Sequence, residues 1–221
     1  MKISSETLAV LKNFSGINNS IYLDEQGYIK TKSPNSSNII GIAKIEEKLP
    51  EVAIYSLDEF LGSVSLMEND VDFKFTKDYI SIKGENSKVK YRLSDPSHIL
   101  SQCKAAADYD KFDDFDCNFE LSQQQLHSIQ KASRVLGADV FSIQLKDGKG
   151  KINLVNSEMP LSNSFEMDIE GNGTGEGKIY VENLCIIPTD YVVLVSSNKV
   201  IKFNKKKDFE LYYFIACAIL D

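Results

Sequence analysis

The sequence predicts an α+β protein of two tandem, similar domains. Helical periodicity is confined to a few short segments, and alternating strands fill most of the remainder. The order helix, strand, turn, strand occurs once near the N-terminus and again from Leu121. Equivalent landmarks lie about 118 to 125 residues apart, the sign of a duplicated unit. The chain has 221 residues, 43% hydrophobic and 26% charged. That allows two cores of roughly 110 residues each and excludes a disordered chain.

Ser4 and Ser5 are good N-cap residues for a first helix carrying Leu8, Val10, Leu11 and Phe14, which Gly16 and the Asn18-Asn19 pair end. Strands follow over Ser20 to Asp24 and Tyr28 to Thr31, around a Gln26-Gly27 turn. Another strand, holding Ile39 and Ile40, comes after the Ser33-Pro34-Asn35-Ser36 turn. Ile54-Tyr55 leads into a short helix, Leu57 to Leu66. Val71 to Phe75 and Tyr79 to Lys83 alternate apolar with polar residues, the pattern of half-buried strands, and Val89 to Leu93 closes this half.

The second half repeats the series. Ser122 and Gln125 form a capping box for a helix whose Leu126, Ile129, Ser133 and Leu136 share one face, ended by Gly137. Strands are expected over Val140 to Leu145 and Lys151 to Val155, a shorter helix over Val181 to Ile186, and strands over Tyr191 to Ser196, Lys199 to Phe203 and Leu211 to Leu220. The domains are therefore drawn as 1–93 and 120–221. Between them, 94–119 reads as an extended connector: Asp95-Pro96 starts a turn, and the Asp108 to Asp116 tract interleaves acids with aromatics.

Composition removes several function classes. The 25 basic residues stand against 32 acidic ones, a net charge of −7, so the chain is no uniformly basic coat for nucleic acid, although segregated charge remains open. The longest apolar runs fall short of the ~20 residues of a membrane helix, and the N-terminus does not resemble a signal peptide. Cys103, Cys117, Cys185 and Cys217 are widely spaced and read as reduced thiols. His98 and His127, the two histidines, support no catalytic grouping. The acidic tract lacks the glycine and ligand spacing of a calcium loop. Gly171 to Lys178 fails as a phosphate cradle, because Asn172 and Ile179 stand where Gly and Ser or Thr are needed; it reads as a flexible loop. No enzyme and no cofactor is implied.

One polar stripe stands out. At ~100° per residue, Gln124, His127, Lys131 and Arg134 lie opposite the apolar face of the second long helix. No acid interrupts Leu121 to Ala138 in a chain that is acidic overall. Any exposed helix face is polar, but this one also suits a polyanion, with long side chains reaching phosphates without reading bases. Lys12 lies at the edge of the polar face of the first helix.

Several segments resemble the DNA sliding clamps, in particular those of T-even-type bacteriophages. They are Leu11-Lys12-Asn13-Phe14 with Ile17-Asn18, Val52 to Leu57 with Phe60-Leu61-Gly62, Ser65-Leu66, Asp95-Pro96-Ser97, and Ser133-Arg134. The resemblance implies two DNA-clamp domains per chain and a homotrimeric ring with sheets outside and helices lining the hole. The implied function is that of a processivity factor in DNA replication. The ring encircles duplex DNA without sequence specificity and tethers the DNA polymerase, after an ATP-dependent clamp loader has placed it, in the cytoplasm of the infected bacterial host.

Under that resemblance Lys2, Lys12, Gln124, His127, Lys131 and Arg134 are expected to face DNA. Partner peptides are expected in a groove between the domains, lined by Ile39, Ile40, Ile99, Leu100, Phe112, Phe115, Tyr213, Phe214 and Ile215. Subunits are expected to join edge to edge through Val89 and Tyr91 on one side and Phe165, Met167 and Ile169 on the other. Two other readings stay open at this point: a tandem-domain adaptor that binds only peptides, and an enzyme using Asp113 and Asp114 for metal.

Overall fold

The computed structural model describes residues 1–34, 38–68, 70–99, 112–159, 163–207 and 209–218. Two compact units emerge, Met1–Asn35 with Gly41–Asp110, and Ser36–Ile40 with Lys111–Asp221. The division falls inside the expected connector, and Ile39 and Ile40 belong with the second unit.

In the first unit, helix α1 (Ser5–Ser15) starts where the Ser4 hydroxyl accepts a hydrogen bond from the Thr7 N–H. Glu47 reinforces that end, its carboxylate accepting from the Ser4 N–H at 2.5 Å and the Thr7 hydroxyl at 2.7 Å. Val10, Leu11 and Phe14 form the buried face. They pack on a sheet ordered β3-β2-β1-β4, built from β1 (Ile21–Leu23), β2 (Tyr28–Lys32), β3 (Ile39–Lys44) and β4 (Val52–Ile54). A side chain at Gly41 would overlap the Phe14 ring, 2.7 Å from where its Cβ would stand.

Helix α2 (Leu57–Ser65) is capped by Ser56 and buries Leu57 and Phe60. Phe60 meets Phe73 and Tyr91 of a separate antiparallel sheet, β5 (Asp72–Phe75), β6 (Tyr79–Lys83) and β7 (Lys88–Arg92), in which β7 is an edge.

The second unit opens with β8 (Cys117–Leu121), whose Cys117, Phe119 and Leu121 alternate inward. Helix α3 (Gln123–Leu136) follows, then β9 (Val140–Lys146), β10 (Lys149–Val155), β11 (Phe165–Gly173), β12 (Gly175–Tyr180), β13 (Tyr191–Ser196), β14 (Val200–Lys205) and β15 (Leu211–Ala216). Their order is β12-β9-β10-β11-β8-β13-β14-β15. At the β15 end, the Ala216 N–H donates to the Asn38 carbonyl at 2.8 Å.

Three expectations change. The end of the supposed connector, 117–119, is strand, because its apolar alternation faces the core. Gly171 to Lys178 is no flexible loop: it joins and continues the β11–β12 hairpin. Its glycines admit the neighbouring backbone, since a Cβ at Gly171 would stand 2.1 Å from the Asn118 carbonyl oxygen. The short helix expected over Val181 to Ile186 is one 3-10 turn, Val181–Asn183, with no side-chain cap.

Candidate nucleic-acid interface

Helix α3 carries the most distinctive surface. Its capping box is complete: the Ser122 hydroxyl accepts from the Gln125 N–H at 3.2 Å, and the Gln125 side-chain oxygen Oε1 accepts from the Ser122 N–H at 2.9 Å. The Gln123 N–H is satisfied by the Asp190 carboxylate at 2.8 Å, and Gly137 closes the helix in the left-handed conformation that glycine permits. Leu126, Ile129 and Ser133 are buried, which turns Gln124, His127, Lys131 and Arg134 to solvent. Lys131 and Arg134 make no ion pair among the described residues. With His127, Gln130, Val135 and Pro188 they line a shallow depression. The arrangement offers cations on flexible stems and no acid on the same helix, the chemistry of a phosphate-facing surface.

The first unit is more mixed. Lys12 is exposed in the last turn of α1, but Glu6 is exposed in its first turn, and α2 exposes Asp58 and Glu59. Lys2 lies beside β5, where Met1 and Phe73 exchange backbone hydrogen bonds, and its ammonium contacts Asp70 at 2.7 Å. That hydrogen bond and the Asp70 charge raise the Lys2 pKa above its ordinary value. Lys2 is therefore already paired, unlike the cations of α3.

The nine residues expected in a partner groove separate into two sets, with Leu100 outside the described residues. Ile39, Ile40, Ile99, Tyr213, Phe214 and Ile215 are all buried, so no peptide reaches their side chains in this conformation. Tyr213 packs edge-on against Tyr191, and burial pushes both phenols far above their ordinary pKa. Phe112 and Phe115 are half-buried and stack edge to face, centroids 5.2 Å apart.

Beside them the acidic tract is anchored. The Asp116 carboxylate accepts from the Ser197 N–H at 2.6 Å, its backbone N–H donates to the Val195 carbonyl, and Asp114 pairs with Lys199 at 3.3 Å. The hydrogen bonds from Ser197 hold the Asp116 carboxyl below the usual range. Among the described residues, no three His, Cys, Asp or Glu side chains gather as a metal site.

The expected subunit contacts also divide. Tyr91 is buried; its hydroxyl donates to the Ser56 carbonyl at 2.9 Å and its ring meets Phe60, so it braces α2. Ile169 is buried, while Val89, Phe165 and Met167 are half-exposed. The backbone is more telling. The outer edge of β7 is unpaired among the described residues, and β11 pairs over 165–170 with β10 alone before β8 takes over at Gly171. The residues expected at the joint are the apolar members of both alternations, and the sequence alone does not fix which alternating set faces a partner; in the structure the charged set is the exposed one. Lys88, Lys90 and Arg92 are exposed on β7, as are Glu166, Asp168 and Glu170 on β11.

Comparisons with known proteins agree with this architecture. The family described as DNA polymerase processivity factor matches residues 4–101. The chain is 27% identical to the sliding clamp of Vibrio phage KVP40 over the full length of both chains. It is 30% identical to the sliding clamp of Escherichia phage RB69, covering 88% of this chain and 87% of that one. Among solved structures, A. fulgidus PCNA with the C-terminal region of FEN-1 bound superposes with a TM-score of 0.75 at 14% identity, covering 97% of this chain and 95% of that one.

Proposed function

As the chain belongs to the DNA sliding clamps, the family of polymerase processivity factors, we propose that three copies close into a ring around duplex DNA. The acid-free polar face of α3, with Lys131 and Arg134 outside every ion pair among the described residues, is the observation that carries this reading. Those cations, with Lys12 and the polar Gln124 and His127, meet phosphates as exchangeable point contacts. Lys2 contributes less, being held by Asp70. The ring keeps the DNA polymerase at a high effective concentration on its template. It needs no base readout and performs no catalysis of its own.

The two compact units supply the clamp domains. The free edges of β7 and β11 join neighbouring copies, with Val89, Phe165 and Met167 at the joint. A closed ring cannot thread onto DNA that lacks an end, so an ATP-dependent clamp loader is the required partner. Since the relatives are bacteriophage proteins, the site of action is the cytoplasm of the infected bacterial host. Partner peptides dock beside Phe112 and Phe115, which the burial of the other expected groove residues leaves as the accessible aromatics.

The test is retention on DNA of defined topology. The chain, loaded on nicked circular DNA, should stay bound and be released when the circle is cut. A peptide-only adaptor would not respond to linearisation. Replacing Lys12, Lys131 and Arg134 together with alanine should lower loading several-fold and flatten its salt dependence, by a log–log slope of up to ~0.9 per lost phosphate contact. Light scattering should still give the mass of three chains. Unchanged loading and slope in an intact trimer would remove these residues from the interface.

A further inference from the structure

We propose that two opposite charge stripes, one on each free strand edge, select the joint between copies of this chain, permitting head-to-tail pairing and forbidding like-with-like pairing. The inference rests on the ring reading and specifies what determines the joint.

The edge of β7 presents Lys88, Lys90 and Arg92 at alternate positions, all exposed. The edge of β11 presents Glu166, Asp168 and Glu170 in the same alternation, also exposed. Two β7 edges brought together would set cation on cation, and two β11 edges acid on acid. Directly opposed like charges destabilise a strand pair. The two-fold dimer, the commonest homo-oligomer, is thereby disfavoured at either edge. A β7 edge meeting a β11 edge is attractive, and a contact between two different patches is the kind that propagates from copy to copy until a ring closes.

The stripes also fix the register. All strand pairs recorded in the second unit are antiparallel, so an antiparallel addition continues the sheet. Setting Lys88 opposite Glu170, Lys90 opposite Asp168 and Arg92 opposite Glu166 matches all three charges. The same register sets Val89 opposite Ile169 on the other face. A slip of one residue would bring the cations onto that apolar face, and a slip of two would lose one charge pair. The acids are already matched on their inner side: Lys149 pairs in register with Glu170 and Lys151 with Asp168, while the Lys151 ammonium contacts Glu166 at 2.5 Å. The incoming β7 would extend that alternation of signs by one strand.

The experiment is light scattering of the full chain at several salt concentrations, with circular dichroism to verify folding. The wild-type trimer should dissociate about tenfold more readily at ~500 mM than at ~50 mM NaCl, because exposed charges are screened over shorter distances. A chain with Lys88→Glu, Lys90→Glu and Arg92→Glu should fall to the mass of one copy. Adding Glu166→Lys, Asp168→Lys and Glu170→Lys to the same chain restores opposite signs and should restore the trimer. Should the six-fold variant misfold, the neutral Lys88→Gln, Lys90→Gln, Arg92→Gln chain should show a flattened salt dependence. An intact trimer with unchanged salt dependence after the first reversal, or an unaltered slope in the neutral variant, would overturn the charge selection and leave the ring standing. So would a folded six-fold variant that stays monomeric. A wild-type chain with the mass of one copy at every salt concentration would overturn the ring reading and this inference with it.

Discussion

Glu47 illustrates how one side chain sets a helix start. Burial alone would push its carboxyl up, but hydrogen bonds from the Ser4 N–H, the Thr7 hydroxyl and the Ser4 side chain outweigh that and hold it below its ordinary value of 4.5. A carboxylate whose folded pKa is depressed stabilises the fold above its unfolded value and loses that contribution as pH falls through the folded value. Glu47→Ala should therefore cost about 1 kcal/mol at neutral pH, the scale of a lost cap hydrogen bond. Urea melts of both proteins should converge as the pH is lowered below 4.5, and a difference that persists in acid would mean that Glu47 acts through packing instead.

At the scale of elements, two glycines make opposite predictions. Gly62 lies inside α2 with nothing within 4 Å of a prospective Cβ. Gly62→Ala should raise stability by up to about 1 kcal/mol through helix propensity. Gly171→Ala would drive a methyl into the Asn118 carbonyl and should cost about 2 kcal/mol or more. Thermal melts of the two variants should shift in opposite directions. The same contrast explains what could be read from the sequence. The box at the start of α3 is local, four residues deciding one turn, and it is found as expected. The glycines from 171 to 175 look like loop residues because the strand that needs them, β8, lies about 54 residues earlier. Cys117, Phe119 and Leu121 show a strand alternation that the neighbouring acidic tract obscured.

For the whole molecule, the legible part of the site was the part governed by helical periodicity. The stripe of α3 follows from 3.6 residues per turn, and all four of its expected members are exposed. The groove was less legible, because burial at Ile39, Ile40 and Tyr213 to Ile215 depends on which strands meet, and the apolar alternation alone does not say so. The aromatics at Phe112 and Phe115 carry the remaining prediction. A polymerase C-terminal peptide should bind the wild-type clamp at least about tenfold more tightly than a Phe112→Ala, Phe115→Ala variant, the loss expected of aromatic anchors. Fluorescence anisotropy would measure it, and equal affinities would move the docking surface elsewhere.

The unequal helices have a consequence for motion. The long helix of the second unit exposes cations and no acids, whereas those of the first expose Glu6, Asp58 and Glu59 beside Lys12. In the ring proposed above, attractive and indifferent sectors would alternate, so a duplex inside would feel a corrugated potential with three shallow wells. Each well would be made of few, solvent-screened contacts, which keeps the barriers between wells low. Rotation and translation of the duplex would then be lightly damped diffusion, with weak preferred orientations that bring the axis towards one basic helix at a time.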